Sequence, residues 1–190
     1  EGILRQIAVY EVEKGNTVYV LFLRKKIFGD WETINKNKVK IYYSGSILKL
    51  IRNIIKLHKV KFDFSYTSLV SFTALLGILK RLGILYISHM VGRESTLIFN
   101  RYSGLRLYAK KAFYYMGYPA VETLICQTEL MKEQLLIHLP WLEKRTRVVV
   151  IPNPVDLNDW NKKGIAQIDN KPFVPYIVTA GRFIHEKGNR

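Results

Sequence analysis

The stretch RVVVIPN, residues 147–153, is a solid apolar run stopped by proline. A strand with no polar alternation has to be covered on both faces, as in a parallel sheet flanked by helices. The same signature recurs, less purely, at residues 17–23 (TVYVLFL), 38–43 (KVKIYY), 61–66 (KFDFSY), 84–89 (ILYISH) and 121–127 (VETLICQ). Between these runs lie segments of helical period. They are residues 3–13, stopped by Gly15-Asn16, then 46–59 behind Ser46, 68–81, 102–115, and 129–138 opened by Thr128. Short strands alternating with helices predict βαβ units, right-handed crossovers and a mainly parallel sheet. The expected fold is a doubly wound, Rossmann-like α/β domain.

The rhythm fails after Pro152. Residues 152–172 are polar, proline-punctuated and weakly periodic, and PYIVTAG (175–181) then restarts as a strand. Residues 1–151 are therefore expected to form an N-terminal domain, 152–172 a linker, and 173–190 the first strand and turn of a second α/β domain. Both ends read as cut: the first helix has no strand before it and the last has no body.

Charge narrows the partners. Thirty Lys and Arg against 15 Asp and Glu give a formal net charge of +15. Such a surface attracts nucleic acid, anionic lipid head groups or phosphorylated substrates. The apolar fraction of 48% supports a real core and argues against disorder. The single cysteine, Cys126, excludes an internal disulfide framework, fits a reducing compartment, and closes an apolar run as a buried thiol would. The most apolar stretch, residues 66–79, is too short to span a bilayer and runs into Lys80 and Arg81. The four histidines, His58, His89, His138 and His185, show no metal-ligand spacing with cysteine or acid, and no metal or other cofactor is expected.

In parallel sheets, ligands sit beyond the carboxyl ends of strands, beside helix N-termini. Three stretches occupy such positions. In the first, Gly181 and Arg182 follow a strand, and Lys187 and Gly188 stand where the next helix would begin. A helix start, an arginine fork and a lysine point charge make a site for a diphosphate. If that diphosphate departs, the same cations stabilise the charge it develops; the plain alternative is a surface turn with two solvated cations. The second is His89, at the end of ILYISH. A lone histidine there is commonly structural. The third is VGREST, residues 91–96, where Arg93, Ser95 and Thr96 offer a fork and two hydroxyls for an acceptor. The alternative at this third position is a helix cap, Ser95 or Thr96, behind a solvated Arg93–Glu94 pair.

The order VVVIPNPVDLNDW, linker, strand, then Gly-Arg-x4-Lys-Gly resembles the junction of the two halves in retaining glycosyltransferases of family 4, which have the GT-B architecture. The family's usual form is I-P-N-G-V-D followed by V-G-R-L and K-G; here Pro154 replaces the usual glycine. Residues 1–23 are similar to the family's first helix and second strand. Gly15-Asn16-Thr17-Val18 stands for the family's Gly-His-x-Val, and Gly2 alone represents its glycine loop. CQTELMKEQL, residues 126–135, resembles a further family segment, with Gln127-Thr128 in place of a serine.

The resemblance implies the N-terminal half of a GT-B enzyme that moves a sugar from a nucleotide diphosphate donor to a glycan or lipid-linked acceptor. Gly2, Gly181, Arg182, Lys187 and Gly188 would then hold the diphosphate. Arg182 and Lys187 would act in catalysis, and His89 would face the sugar or relay a proton. Arg93, Ser95 and Thr96, from their residue types alone rather than from the resemblance, are expected to serve the acceptor. The family's acidic pair for the donor falls beyond Arg190, so the piece is expected to be inactive alone. Basic clusters at Arg24, Lys25, Lys26, Lys36, Lys38 and Lys40 suit an anionic membrane face and a role in envelope polysaccharide synthesis, with a cytoplasmic, peripheral location. Two rivals remain. One is a non-catalytic basic module for nucleic acid or a phosphorylated ligand, which the lack of interleaved aromatic and basic residues disfavours, so that no nucleic-acid partner is expected. The other is a nucleotide-sugar epimerase of the same architecture.

Overall fold

The computed structural model describes residues 2–23, 31 and 38–154. The chain divides into two units, Glu1–Pro154 and Val155–Arg190, and all described residues belong to the first. The order of elements is α1 (Gly2–Glu13), β1 (Val18–Phe22), β2 (Val39–Tyr43), α2 (Ile47–Ile55), β3 (Lys61–Thr67), α3 (Val70–Arg81), β4 (Tyr86–Arg93), a short α4 (Ile98–Arg101), α5 (Gly104–Gly117), β5 (Thr123–Cys126), α6 (Glu129–His138) and β6 (Arg147–Val150). Every strand pairing is parallel, and helices alternate with strands as the sequence predicts for a Rossmann-like α/β fold.

The strands form two sheets. β1 pairs with β2, and β3, β4, β5 and β6 follow one another in the second sheet. β1 and β3 share no hydrogen-bonded ladder among the described residues, yet their side chains meet. The rings of Tyr19 and Phe62 lie edge to face with centroids 5.3 Å apart. Alternation along β1 divides its side chains between two cores. Val18, Val20 and Phe22 join Ala8 of α1, Trp31 and Val39, whereas Tyr19 and Leu21 join the main core of α2, α3, α5 and the larger sheet.

Local signals account for the element ends. Ser46 accepts a hydrogen bond from the Lys49 amide at 3.3 Å, and Thr128 one from the Met131 amide at 3.2 Å, so both cap the helices that follow. Gly15 stops α1 with φ +93°, in the left-handed region that favours glycine. The helix read at residues 102–115 begins and ends two residues later, at Gly104–Gly117. Tyr102 and Ser103 are extended, and Gly104 opens α5 at φ +55°. α3 and α5 cross where glycine meets glycine. A Cβ on Gly77 would overlap the carbonyl of Gly117, and one on Gly117 would overlap the backbone of Ala74.

The strand expected at residues 84–89 begins two residues later and runs on to Arg93. Gly92 does not turn the chain. A Cβ there would press on Leu124 at 3.0 Å and Thr73 at 3.1 Å, so this glycine marks close packing inside a strand.

Candidate functional site

The carboxyl ends of β3, β4, β5 and β6 carry Ser68, Arg93, Glu94, Ser95, Gln127, Thr128 and Asn153 within a few residues of one sheet edge. A chain of hydrogen bonds ties them together. The Arg93 guanidinium donates to Asn153 Oδ1, and Asn153 Nδ2 donates to Gln127 Oε1 at 3.0 Å. Gln127 Nε2 donates to the Glu94 carbonyl at 3.0 Å, and Ser95 Oγ donates to the Ser68 carbonyl at 3.4 Å. Arg93 also lies beside Tyr66 on β3. Burial pushes the Tyr66 hydroxyl upward, and the arginine's charge pulls it partly back. The edge thus holds a fixed guanidinium among amides and hydroxyls, a set suited to an anionic or polyhydroxylated ligand.

Glu94 departs from its expected solvated pairing with Arg93. It is buried, 4% exposed, and accepts a hydrogen bond from the Tyr118 hydroxyl at 2.7 Å. Burial pushes its carboxyl up to about 7, with that hydroxyl pulling the other way. The expected helix cap at Ser95 or Thr96 is not formed either. The residue preceding α4 is Leu97, whose side chain makes no capping bond. Thr96 instead lines a small cavity with Glu94, Tyr114 and Gln134.

His89 stands in the middle of β4 rather than at its end. It faces the same way as Arg93, four residues on, which at about 3.3 Å per residue is about 13 Å along the strand. The imidazole is exposed, stacks on Phe64 with centroids 6.3 Å apart, and lies 3.2 Å from Thr123 Oγ1. His89 therefore stands in an exposed spot with Phe64 beside it, on a face whose neighbours Ile87 and Val91 are buried, apart from the edge cluster.

Gly2 opens α1, where a Cβ would meet nothing within 4 Å, so packing does not require glycine there. Gly181, Arg182, Lys187 and Gly188 lie outside the described residues, as do Arg24, Lys25, Lys26 and Lys36. Lys40 is described and donates to the Tyr19 hydroxyl at 3.1 Å. Cys126 is buried, and burial pushes its thiol up to about 12, consistent with the inert core role read from the sequence. No cluster of three metal-ligating side chains occurs among the described residues, and none of their helices is long and apolar enough to cross a membrane.

Gln127 and Asn153 were absent from the sequence-derived site. Gln127 follows directly on β5 and Asn153 stands three residues past the end of β6, and a place just beyond a strand's carboxyl end is the signal that could have singled them out. Comparison with known proteins matches no family model, no curated protein and no solved structure.

Proposed function

We propose that the protein is part of a retaining glycosyltransferase that moves a sugar from a nucleotide diphosphate donor to a glycan or lipid-linked acceptor. The observation that carries the reading is the hydrogen bond from Arg93 to Asn153. It joins the end of β4 and the residues after it, 91–96, to the Pro-Asn-Pro segment, residues 152–154, at the edge of a parallel sheet where ligands gather. The Pro-Asn-Pro segment belongs to the family resemblance, residues 91–96 are offered for the acceptor by their own residue types, and the bond brings the two together in space.

In this reading Arg93 reads an anionic or hydroxyl-rich acceptor, held at the correct angle by Asn153 and Gln127. Arg182 and Lys187 take up the negative charge of the departing diphosphate, which is where binding energy lowers a barrier. His89 contributes from its exposed position on β4, toward the sugar. Localisation at a membrane face and a role in envelope polysaccharide synthesis follow from the acceptor class.

The test, made in the complete enzyme of which this chain would form part, is transfer of labelled sugar from a panel of nucleotide sugars. Arg182→Ala is expected to lower the rate by about a hundred- to a thousandfold, the cost of removing one stabilising donor in a dry site, with the circular dichroism spectrum unchanged. Transfer at the unaltered rate would remove the role of Arg182. Steeply salt-dependent polynucleotide binding, with no response to nucleotide sugars, would favour a non-catalytic basic module instead.

A further inference from the structure

α5 is apolar on the side it turns to solvent. Leu105, Tyr108, Ala109, Ala112, Tyr115 and Met116 recur at three- and four-residue spacing, so they form one stripe along the helix. All six are exposed, Leu105 by 87% and Tyr108 by 71%. The opposite side carries the helix's packing load through Tyr114 and Gly117, both buried against α3 and the turn at residues 118–120. Helical geometry places Arg106 and Lys110 along one border of the stripe and Lys111 along the other. Residues 98–117 contain four cations, including Arg101, and no Asp or Glu.

We infer that this stripe rests on an anionic lipid bilayer, with α5 lying in the plane of the head groups. Its composition is that of an interfacial helix: aliphatic and tyrosine side chains on the wet face, bordered by long cations whose stems can reach back to phosphate level. Tyrosine suits the depth because its ring is apolar and its hydroxyl stays hydrated. Fourteen residues make about 21 Å of helix, enough to lie along the interface and too short to cross it. A second copy of the chain is the poorer occupant, since it would bring one surface of net charge +15 against another. α2 is also basic and exposes Ile47, Leu48 and Ile55, but it is nine residues long against the fourteen of α5 and offers the shorter apolar face. The inference rests on the proposed function only for the idea of a lipid-linked acceptor; the docking itself needs no transfer chemistry.

The experiment is co-sedimentation of the 190-residue protein with vesicles of phosphatidylcholine, with and without phosphatidylglycerol. Binding is expected only to the anionic vesicles and is expected to weaken as salt rises. Arg106→Gln is expected to lower affinity about fivefold, the effect of one basic residue near such a surface. Leu105→Gln with Tyr108→Gln is expected to lower it at least about tenfold. Both side chains project into solvent, so the helix content should be unchanged by circular dichroism. Full retention of vesicle binding by the double variant would overturn the inference and assign docking to another basic surface, such as α2. Absence of vesicle binding, with dimerisation that the double variant abolishes, would overturn it in favour of a protein partner. Neither outcome touches the role of Arg182, which is read by transfer alone.

Discussion

Glu94 is the residue whose environment most changes its chemistry. Its carboxyl is sealed beneath the site against the Tyr118 and Tyr114 hydroxyls, while its own carbonyl steadies Gln127. The folded state therefore favours the protonated acid, pushed from 4.5 up to about 7. A folded pKa above the unfolded one means the folded chain holds the extra proton between those values. Stability is thus fullest below pH 4.5, as far as this group is concerned, and is lost as pH rises toward 7. Linkage sets the loss at no more than about 3 kcal/mol. Glu94→Gln keeps an acceptor for Tyr118 but cannot ionise, so urea denaturation is expected to show a flat profile for it over that window. A variant with the same slope as the parent would place the titration elsewhere. The sequence could not disclose this. Beside Arg93, a glutamate reads as half of a solvated pair, and the partner that hides it lies 24 residues further along.

Between elements, the tightest constraint is the crossing of α3 and α5. Gly77 and Gly117 let two backbones touch, and Ala74 completes the contact. Gly117→Ala would force those helices apart. Overpacking of this kind costs about 1–3 kcal/mol, and more where backbone must yield; the lowered denaturation midpoint should come with no change in α6. Elements with both a cap and a clean period were legible from sequence. α6 matches its expected span, residues 129–138, because Thr128 and the apolar period agree. β4 was misjudged for a physical reason. Gly-Arg-Glu after an apolar run has the chemistry of a turn, and only the packing of Leu124, Thr73 and Val121 around Gly92 shows why the strand continues. That error carried into the site, since a strand ending at His89 would have put the imidazole on the edge where Arg93 actually stands. Likewise the helical period ran through Ser103-Gly104 unbroken, because periodicity counts apolar positions and is blind to a positive φ.

For the whole molecule, the parallel α/β architecture was readable because alternating runs of this kind fit few topologies. The division into two sheets was not readable, because pairing partners are a property of the folded chain. β1 and β3 each keep one edge without a strand partner among the described residues. Amides there, and along β2 and β6, which also have a single strand partner, lack the ladder protection that β4 and β5 enjoy on both sides, so hydrogen exchange should be faster along those four strands and slowest at Leu124 and its neighbours. Uniform protection across all six strands would contradict the observed pairing.

The open edges of β1 and β3, near which the Tyr19 and Phe62 rings meet, also bear on how the protein behaves in a test tube. Unpaired strand edges invite other chains, and what holds copies apart is their shared positive charge. Dilute buffer should therefore keep solutions clear, whereas concentrated salt, by screening that repulsion, should bring turbidity well before the fold itself gives way.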